Sequence, residues 1–269
     1  MRLSALLDKM AAILRRDILT GIRYRTGFLL TAAAIVGELA AFYYLARAIG
    51  PGFRPQGLDY FAFLLVGTGF YTFLLMGINS FLQIVQEAQQ TGTLEILMTT
   101  STPGPVLVFL SAISAFARNS VQLLVYLGAG LLVFGAPLPH PNIGGCVVIF
   151  ALSVAIAVAI GMFAATLQLA VQKGSAVVWL LGSGAWFMTG TLFPVTTLPR
   201  PLRLVAQLIP ITHSLDGMRL ALLGGADFST LSRQIAILAG FALILLPLSV
   251  LLFSYALRRA RLDGALSFY

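Results

Sequence analysis

The stretch ALSVAIAVAIGM, residues 151–162, is apolar at every position except Ser153 and Gly161. It lies within a longer run, from Ile143 to Ala170, that contains no charged residue. A strand of a membrane β-barrel would alternate apolar and polar side chains, whereas this run is apolar on every face. Since a helix needs about 20 apolar residues to cross a bilayer core, the stretch predicts a transmembrane helix. We therefore expect an all-α fold.

The composition of the whole chain agrees with this prediction. Of 269 residues, 59% are hydrophobic and only 10% are charged, whereas soluble domains are roughly a quarter charged. The single cysteine, Cys146, excludes a disulfide-stapled secreted scaffold. The composition therefore indicates a polytopic membrane protein and excludes a soluble or disordered one.

Charged residues separate six apolar runs, which predict six transmembrane helices and a membrane domain over residues 27–257. The six predicted spans are Gly27 to Ala48, Tyr60 to Val85, Pro105 to Phe134, Ile143 to Ala170, Ser175 to Leu192 and Ile235 to Leu257.

Basic residues predict the orientation of these spans. Six arginines and lysines lie within residues 1–26, and three more lie in the tail, residues 258–269. By the positive-inside rule both termini are cytoplasmic, in a protein of the cell inner (plasma) membrane. The outer connection also carries arginines, but long loops weigh less in this rule. The net charge of +8 follows from this topology and from anionic headgroups, so no nucleic-acid partner is predicted.

Residues 1–26 have a helical pattern of their own. Leucines, isoleucines and Met10 fall on one face, while most basic residues fall opposite. A signal peptide would instead have an unbroken apolar core and a small-residue cleavage site. We predict a cytoplasmic amphipathic helix in the membrane interface, and a soluble helix packed on a partner is the alternative.

The polar connection between spans two and three, residues 86–104, is cytoplasmic yet contains no lysine or arginine. Residues 86–103 read QEAQQTGTLEILMTTSTP. Thr91 or Thr93 can cap a short helix, and Glu95 suits its first turns. Leu94 and Met98 contribute to an apolar side on about two turns of helix, which are too short to be stable alone. This segment therefore needs a partner surface, unless it is an ordinary capped turn.

The tetrad Gly92-Thr93-Leu94-Glu95, followed by Leu97, Thr99, Thr100 and Pro103, resembles the coupling segment of the ABC-two class of ATP-binding-cassette export permeases. The chain is similar to that class in its interfacial helix, six spans and outer hairpin. In that class the short helix sits in a groove on an ATPase subunit. The resemblance implies a coupling contact formed by Glu87, Gly92, Thr93, Leu94, Glu95 and Met98. Gln89 and Gln90 depart from the charged residues that this class often has there.

No phosphate-binding loop of the Gly-x-x-x-x-Gly-Lys-Ser/Thr type occurs in the chain, whose only lysines are Lys9 and Lys173. We therefore predict no cofactor bound by this chain, with ATP and Mg on a partner. The resemblance implies two copies of an ABC ATPase subunit. A second permease subunit, identical or similar, is expected at a two-fold interface, and membrane lipid surrounds the assembly.

Residues 193–233 form the connection between spans five and six. Prolines divide it into short apolar pieces, of which Leu202 to Ile209 and His213 to Leu223 predict helices. These pieces are too short to span and too apolar for water, which favours an outer re-entrant hairpin. The resemblance implies an outer gate at Phe193, Pro194, Leu198, Pro199, Pro210, Asp216 and Arg219. Asp216 and Arg219, three residues apart, can equally form a local helix-stabilising pair.

Two charged residues lie deep within predicted spans. Glu38 and Arg118 fall at about 16 and 20 Å from the cytoplasmic face, counted at 1.5 Å per residue. An unpaired charge at such depth costs several kcal/mol. We predict that the two form an intramembrane pair or face a hydrated pathway. Alternatively, Arg118 lies near the interface because span three starts later.

Enzymatic readings find little support in the sequence. Ser183 lies between two glycines, but the only histidines, His140 and His213, fall in predicted outer connections. No cluster of ligands predicts a metal site, and no catalytic residue is assigned. We therefore expect an export permease for a lipid, glycan, drug or peptide. The alternative is a self-sufficient channel or ion-coupled carrier that uses Glu38 and Arg118.

Overall fold

A computed structural model describes residues 25–91, 104–138 and 141–262. Within these ranges every regular element is helical, which confirms the predicted fold class. Eight helices follow one another along the described part of the chain. They are α1 (Arg25–Ile49), α2 (Tyr60–Gln90), α3 (Gly104–Leu132), α4 (Ile143–Val171), α5 (Ser175–Met188), α6 (Arg200–Leu208), α7 (Pro210–Leu222) and α8 (Phe228–Leu262).

Four of these helices are long and apolar enough to cross a membrane. They are α1 over Leu29–Ile49, α2 and α4 over their whole lengths, and α8 over Phe228–Ala260. The predicted third span coincides with α3, a helix of 29 residues. The fifth coincides with α5, which is shorter than the others. A multi-pass membrane protein is thus confirmed, while the count of six spans stays a prediction.

Helix α2 is the central element of the bundle. The Asp59 carboxylate caps its first turn by accepting a hydrogen bond from the Ala62 backbone N–H at 3.0 Å. Most of its side chains are buried, from Tyr60 to Gln89, against α3 and α4 on its two sides. Helix α2 is therefore closely packed against other helices along most of its length.

Several predicted boundaries differ from the structure, since α2 continues to Gln90 rather than Val85 and α8 continues to Leu262 rather than Leu257. Helix α5 ends at Met188 rather than Leu192, because Gly190 turns the chain with φ of +80°. Helix α8 begins at Phe228 rather than Ile235, so the outer connection is shorter than predicted. Its backbone continues through Pro247 as one helix.

Contacts between helices define the two ends of the bundle. At one end the centroids of the Tyr43 and Phe61 rings lie 5.5 Å apart. At the same end the Asn142 backbone N–H donates a hydrogen bond to the Ala221 carbonyl at 2.9 Å. At the other end the Gln86 amide donates to the Gln168 side chain at 3.4 Å. The first end carries α6 and α7 and the second leads into residues 92–103. We call them the hairpin end and the coupling end.

The two helices predicted between spans five and six are confirmed as α6 and α7. They pack closely, since the Thr212 hydroxyl donates to the Ala206 carbonyl at 2.7 Å. The His213 ring joins them to α8, with Nε2 at 2.9 Å from the Gln207 carbonyl and Nδ1 at 3.2 Å from the Gln234 amide oxygen. The hairpin is therefore a packed unit. Its predicted re-entry into the membrane stays a prediction.

The turn between α4 and α5 generates a test of this packing. A Cβ on Gly174 would lie 2.4 Å from the Ala164 carbonyl oxygen and 2.6 Å from Leu82 Cδ1. We expect Gly174→Ala to lower the free energy of unfolding by about 1–3 kcal/mol, the usual cost of overpacking. Gly128→Ala is the matched control, because no atom lies within 4 Å of its added Cβ. Unfolding in detergent micelles measures both, and equal stability of the two variants would contradict the packing described.

Candidate functional site

Arg219, on α7, is the largest fully buried side chain among the described residues, with 0% exposure. Its guanidinium donates three hydrogen bonds to backbone carbonyls of two other segments. Nε reaches the Phe63 carbonyl at 3.2 Å, Nη1 the Gly190 carbonyl at 2.8 Å and Nη2 the Thr191 carbonyl at 2.9 Å. One side chain therefore ties the hairpin to α2 and to the turn after α5. We call Arg219 and these three carbonyls the arginine clamp.

The space for the arginine clamp is provided by α2. The guanidinium carbon lies 3.5 Å from the centre of the Phe63 ring, a cation–π contact. A Cβ on Gly67 would lie 1.8 Å from Arg219 Nη2, so only glycine leaves room there. The sequence of α2 is thus fitted to an arginine from a distant segment.

Asp216 lies one turn before Arg219 and is half-buried. Its carboxylate accepts a hydrogen bond from the Gln56 amide at 3.3 Å, which links α7 to the loop before α2. Burial raises the pKa of Asp216, and the Arg219 charge opposes this shift. Burial likewise lowers the pKa of Arg219, against the effect of Asp216. The two charges support each other electrostatically while each bonds to a different part of the hairpin end.

The remaining residues of the predicted outer gate surround the clamp in sequence. Pro194 precedes a short 3₁₀ turn, Val195–Thr197, and Leu198 ends it. Pro199 precedes α6, while Pro210 is the first residue of α7. The prolines therefore set the boundaries of the hairpin pieces, as their positions in the sequence predict. A gating role for these residues stays a prediction.

Of the predicted coupling residues, only Glu87 lies within the described residues. It is exposed in the last turn of α2, where its backbone carbonyl accepts a hydrogen bond from the Thr91 hydroxyl at 2.7 Å. Gly92, Thr93, Leu94, Glu95 and Met98 lie outside the described residues, as do most of residues 1–26 and the end of the basic tail.

Where the predicted connection 86–104 begins, three glutamines form a hydrogen-bonded cluster, and two of them are buried. Gln168 is 1% exposed and Gln89 is 2% exposed. The Gln168 amide donates to the Gln89 side chain at 3.2 Å, and its oxygen accepts from Gln86 at 3.4 Å and from the Gly174 N–H at 3.2 Å. This glutamine cluster fixes the last turns of α2 to the end of α4 and the start of α5.

Glu38 and Arg118 are placed differently from one another. Glu38 lines a cavity between α1, α2 and α3, beside the Tyr126 hydroxyl. Arg118 is exposed on α3 and is not among the residues that line this cavity. Their direct pairing therefore stays a prediction.

Sequence reasoning missed the glutamine cluster and the partners of Arg219. Gln168, which lies inside the fourth apolar run, was a usable signal, because a polar side chain buried in a membrane helix needs a hydrogen-bond partner. The carbonyls of Phe63, Gly190 and Thr191 offered no such signal, since every residue has a carbonyl. Among the described residues no group of three or more histidine, cysteine or carboxylate side chains could hold a metal ion.

Comparison with known proteins gives one family match. The family model described as "ABC-2 family transporter protein" matches residues 45–251, which is more than half of the chain. That range contains the arginine clamp, the glutamine cluster and the coupling segment. A search of curated proteins found no significant match.

The arginine clamp can be tested by a substitution that keeps the positive charge but removes the planar guanidinium. In Arg219→Lys, a lysine cannot reproduce the planar fork that reaches three carbonyls. We expect the free energy of unfolding to fall by about 3 kcal/mol, because buried carbonyls lose their partners. Arg233→Lys, at an exposed position of α8, is the matched control. Denaturant titration in micelles gives both values, and a wild-type stability for Arg219→Lys would refute the clamp.

Proposed function

Because the chain belongs to the ABC-2 family of transporter proteins, we propose that it is the export permease of an assembly whose ATP is hydrolysed on a separate subunit. The membrane domain of this family lacks ATPase activity itself, and its members generally pair with ABC ATPase subunits. The transported substrate is not identified by the family. The chain's part in the reaction is to convert movement of a partner into movement of membrane helices.

The observation that carries the proposal is the attachment of α2 at both of its ends. At the coupling end the glutamine cluster joins α2 to α4 and α5. At the hairpin end the arginine clamp joins α2 to α7 and to the turn after α5. A third link lies between them, where the Tyr71 hydroxyl donates to the Leu181 carbonyl. A displacement of the coupling end would therefore be carried to the hairpin by α2 and α5 together.

The coupling contact itself is proposed for Glu87, Gly92, Thr93, Leu94, Glu95 and Met98. Support comes from the exposed position of Glu87, in the last turn of the buried helix α2. An ATPase that gripped the following segment would pull directly on this helix. Two ATPase copies and a second permease, identical or similar, complete the proposed assembly.

The proposed pathway lies where two permeases meet. Helices α1 and α3 expose many large apolar side chains, including Leu30 at 72% and Leu124 at 68%. Such surfaces face lipid or another membrane helix. A homodimer or heterodimer would shield part of them and enclose a route between its two halves.

Six crossings of the inner membrane, with both termini cytoplasmic, belong to the proposal. The hairpin end would then face outward and the coupling end inward. Support comes from α5, since Gly174 at its start contacts the glutamine cluster and Thr191 after its end contacts the arginine clamp. This helix thus connects the two ends of the bundle despite its shorter length.

A self-sufficient ion-coupled carrier is the second candidate function. The cavity beside Glu38 favours it, because an intramembrane carboxylate can serve an ion path. This candidate predicts transport by the purified chain alone, whereas the permease predicts none without its ATPase.

Capture of the partner tests the coupling contact. We expect the tagged full chain to co-purify with a polypeptide that carries a phosphate-binding loop and hydrolyses Mg·ATP. Leu94→Arg should lower the recovered amount at least tenfold, because it puts a charge on the apolar side of the short helix. Asp227→Asn, at an exposed position before α8, is the control and should leave recovery unchanged. Quantitative mass spectrometry measures the partner, and undiminished capture by Leu94→Arg would contradict the proposed contact.

Site-directed labelling tests the orientation. Single cysteines replace Thr91 or Thr196 in a Cys146→Ala background, both at exposed positions. A membrane-impermeant maleimide should label Thr196→Cys in intact cells and Thr91→Cys only after permeabilisation, because the two lie at opposite ends of the bundle. Labelling of Thr91→Cys in intact cells would overturn the assigned orientation.

A further inference from the structure

A cavity beside α2 is a second candidate site, and its lining residue Gly69 lies two residues from Gly67, which makes room for the arginine clamp. This cavity, of about 140 Å³, lies between α1, α2 and α3. Its volume is several times the roughly 30 Å³ that one water occupies in the liquid. Glu38, which lies near the middle of the candidate span Leu29–Ile49, reaches it from α1. A carboxylate at such a depth in a membrane helix marks a functional site by default.

The cavity that Glu38 lines also contains oxygen-bearing side chains. Asn119, Gln122 and Tyr126 line it from α3, at spacings of three and four residues that put them on one helix face. Thr72 adds a hydroxyl from α2. Among the described lining residues, Glu38 is the only acidic one. The cavity therefore combines one carboxyl group with several neutral polar side chains.

Tyr126 contributes a buried hydroxyl to this cavity. The side chain is 7% exposed, and its buried hydroxyl has no hydrogen bond of ordinary geometry. The hydroxyl nevertheless lies near enough to Glu38 to interact with it electrostatically. Gly69 makes room for the ring, since a Cβ there would lie 2.7 Å from Tyr126 Cδ1. A buried hydroxyl that lacks a hydrogen bond of ordinary geometry, beside a carboxylate in a cavity, can accept a donor from a ligand.

The same cavity also has apolar lining residues, and part of it is exposed on the outside of the bundle. Ile35, Phe73 and Leu123 line it, and Met76 is 37% exposed at its edge. Glu38 itself is exposed on α1. A molecule that carries a charged group on an apolar body could therefore reach the carboxylate from the membrane, without passing through water.

We propose that this cavity binds the protonated amine of an amphiphilic substrate. Glu38 provides the counter-charge, the Asn119 and Gln122 side chains and the Tyr126 oxygen accept N–H donors, and the Phe73 side supports the apolar body. An anionic group is excluded by the charge of Glu38. The inference rests on the proposed permease function, because it names the class of substrate which that permease would carry.

Binding of radiolabelled dodecylamine tests the site on the full chain. The chain is reconstituted in phosphatidylcholine nanodiscs, and binding to empty nanodiscs is subtracted. We expect saturable binding of dodecylamine that exceeds binding of neutral dodecanol at least tenfold. Glu38→Gln should weaken dodecylamine binding at least tenfold, Glu38→Asp by less, and Tyr126→Phe about threefold. Asp227→Asn, which removes a carboxylate far from the cavity, should bind like the wild type.

Equal binding of the amine and the alcohol would overturn this proposal, and so would wild-type binding by Glu38→Gln. A third contrary outcome is that sodium or potassium displaces the amine and that the metal ion alone also binds in a Glu38-dependent way. The last outcome would assign the cavity to an alkali cation. Size-exclusion profiles verify that each variant is folded. If Glu38→Gln does not fold, the binding measured for Tyr126→Phe decides the test, and wild-type binding by Tyr126→Phe would then contradict the proposal. No ATPase is present, so failure of this test leaves partner capture unaffected, and failed capture leaves this test unaffected.

Discussion

The structure depends most on a buried guanidinium that makes three hydrogen bonds to backbone carbonyls. Removing Arg219 from water is unfavourable, and only a full set of acceptors offsets that cost. Its acceptors belong to Phe63, Gly190 and Thr191, which lie on two segments distant from α7 in the chain. Satisfying one side chain therefore fixes the positions of three segments at once. The hairpin cannot move independently of α2 without leaving a buried charge unpartnered.

The glutamine cluster attaches the other end of α2 in the same way, through buried hydrogen bonds, but with neutral groups in place of a charge. Gln168 uses both its amide nitrogen and its oxygen, so rotation of this side chain would leave buried polar atoms without partners. Between the two attachments α2 is buried and closely packed. A rod that is fixed at both ends, and that leads directly into the coupling segment, is suited to carry mechanical work across a bilayer.

Much of the fold follows from the sequence, because helix length and apolarity are local properties. The six apolar runs coincide with six helices, and the prolines at 199 and 210 mark the starts of α6 and α7. The end of α5 at Met188 was not predicted. It is followed by a turn at Gly190, whose carbonyl accepts a hydrogen bond from the distant Arg219. Arg219 itself was singled out through a family resemblance, whereas its acceptors are backbone groups that no sequence pattern distinguishes. Glu38 was singled out by its depth, but Tyr126, Asn119 and Gln122 become its neighbours only through the packing of α3.

The central claim is that the hairpin moves with α2 when a partner acts on the coupling end. Spin labels at Thr91, Leu204 and Leu251, all exposed, report it by pulsed electron resonance in the assembled transporter, with and without trapped ATP. The account predicts that, when ATP is trapped, the distance between the labels at residues 91 and 204 of one chain stays constant. The distance between the labels at residues 204 and 251 should change. A change from 91 to 204 at a constant distance from 204 to 251 would contradict it.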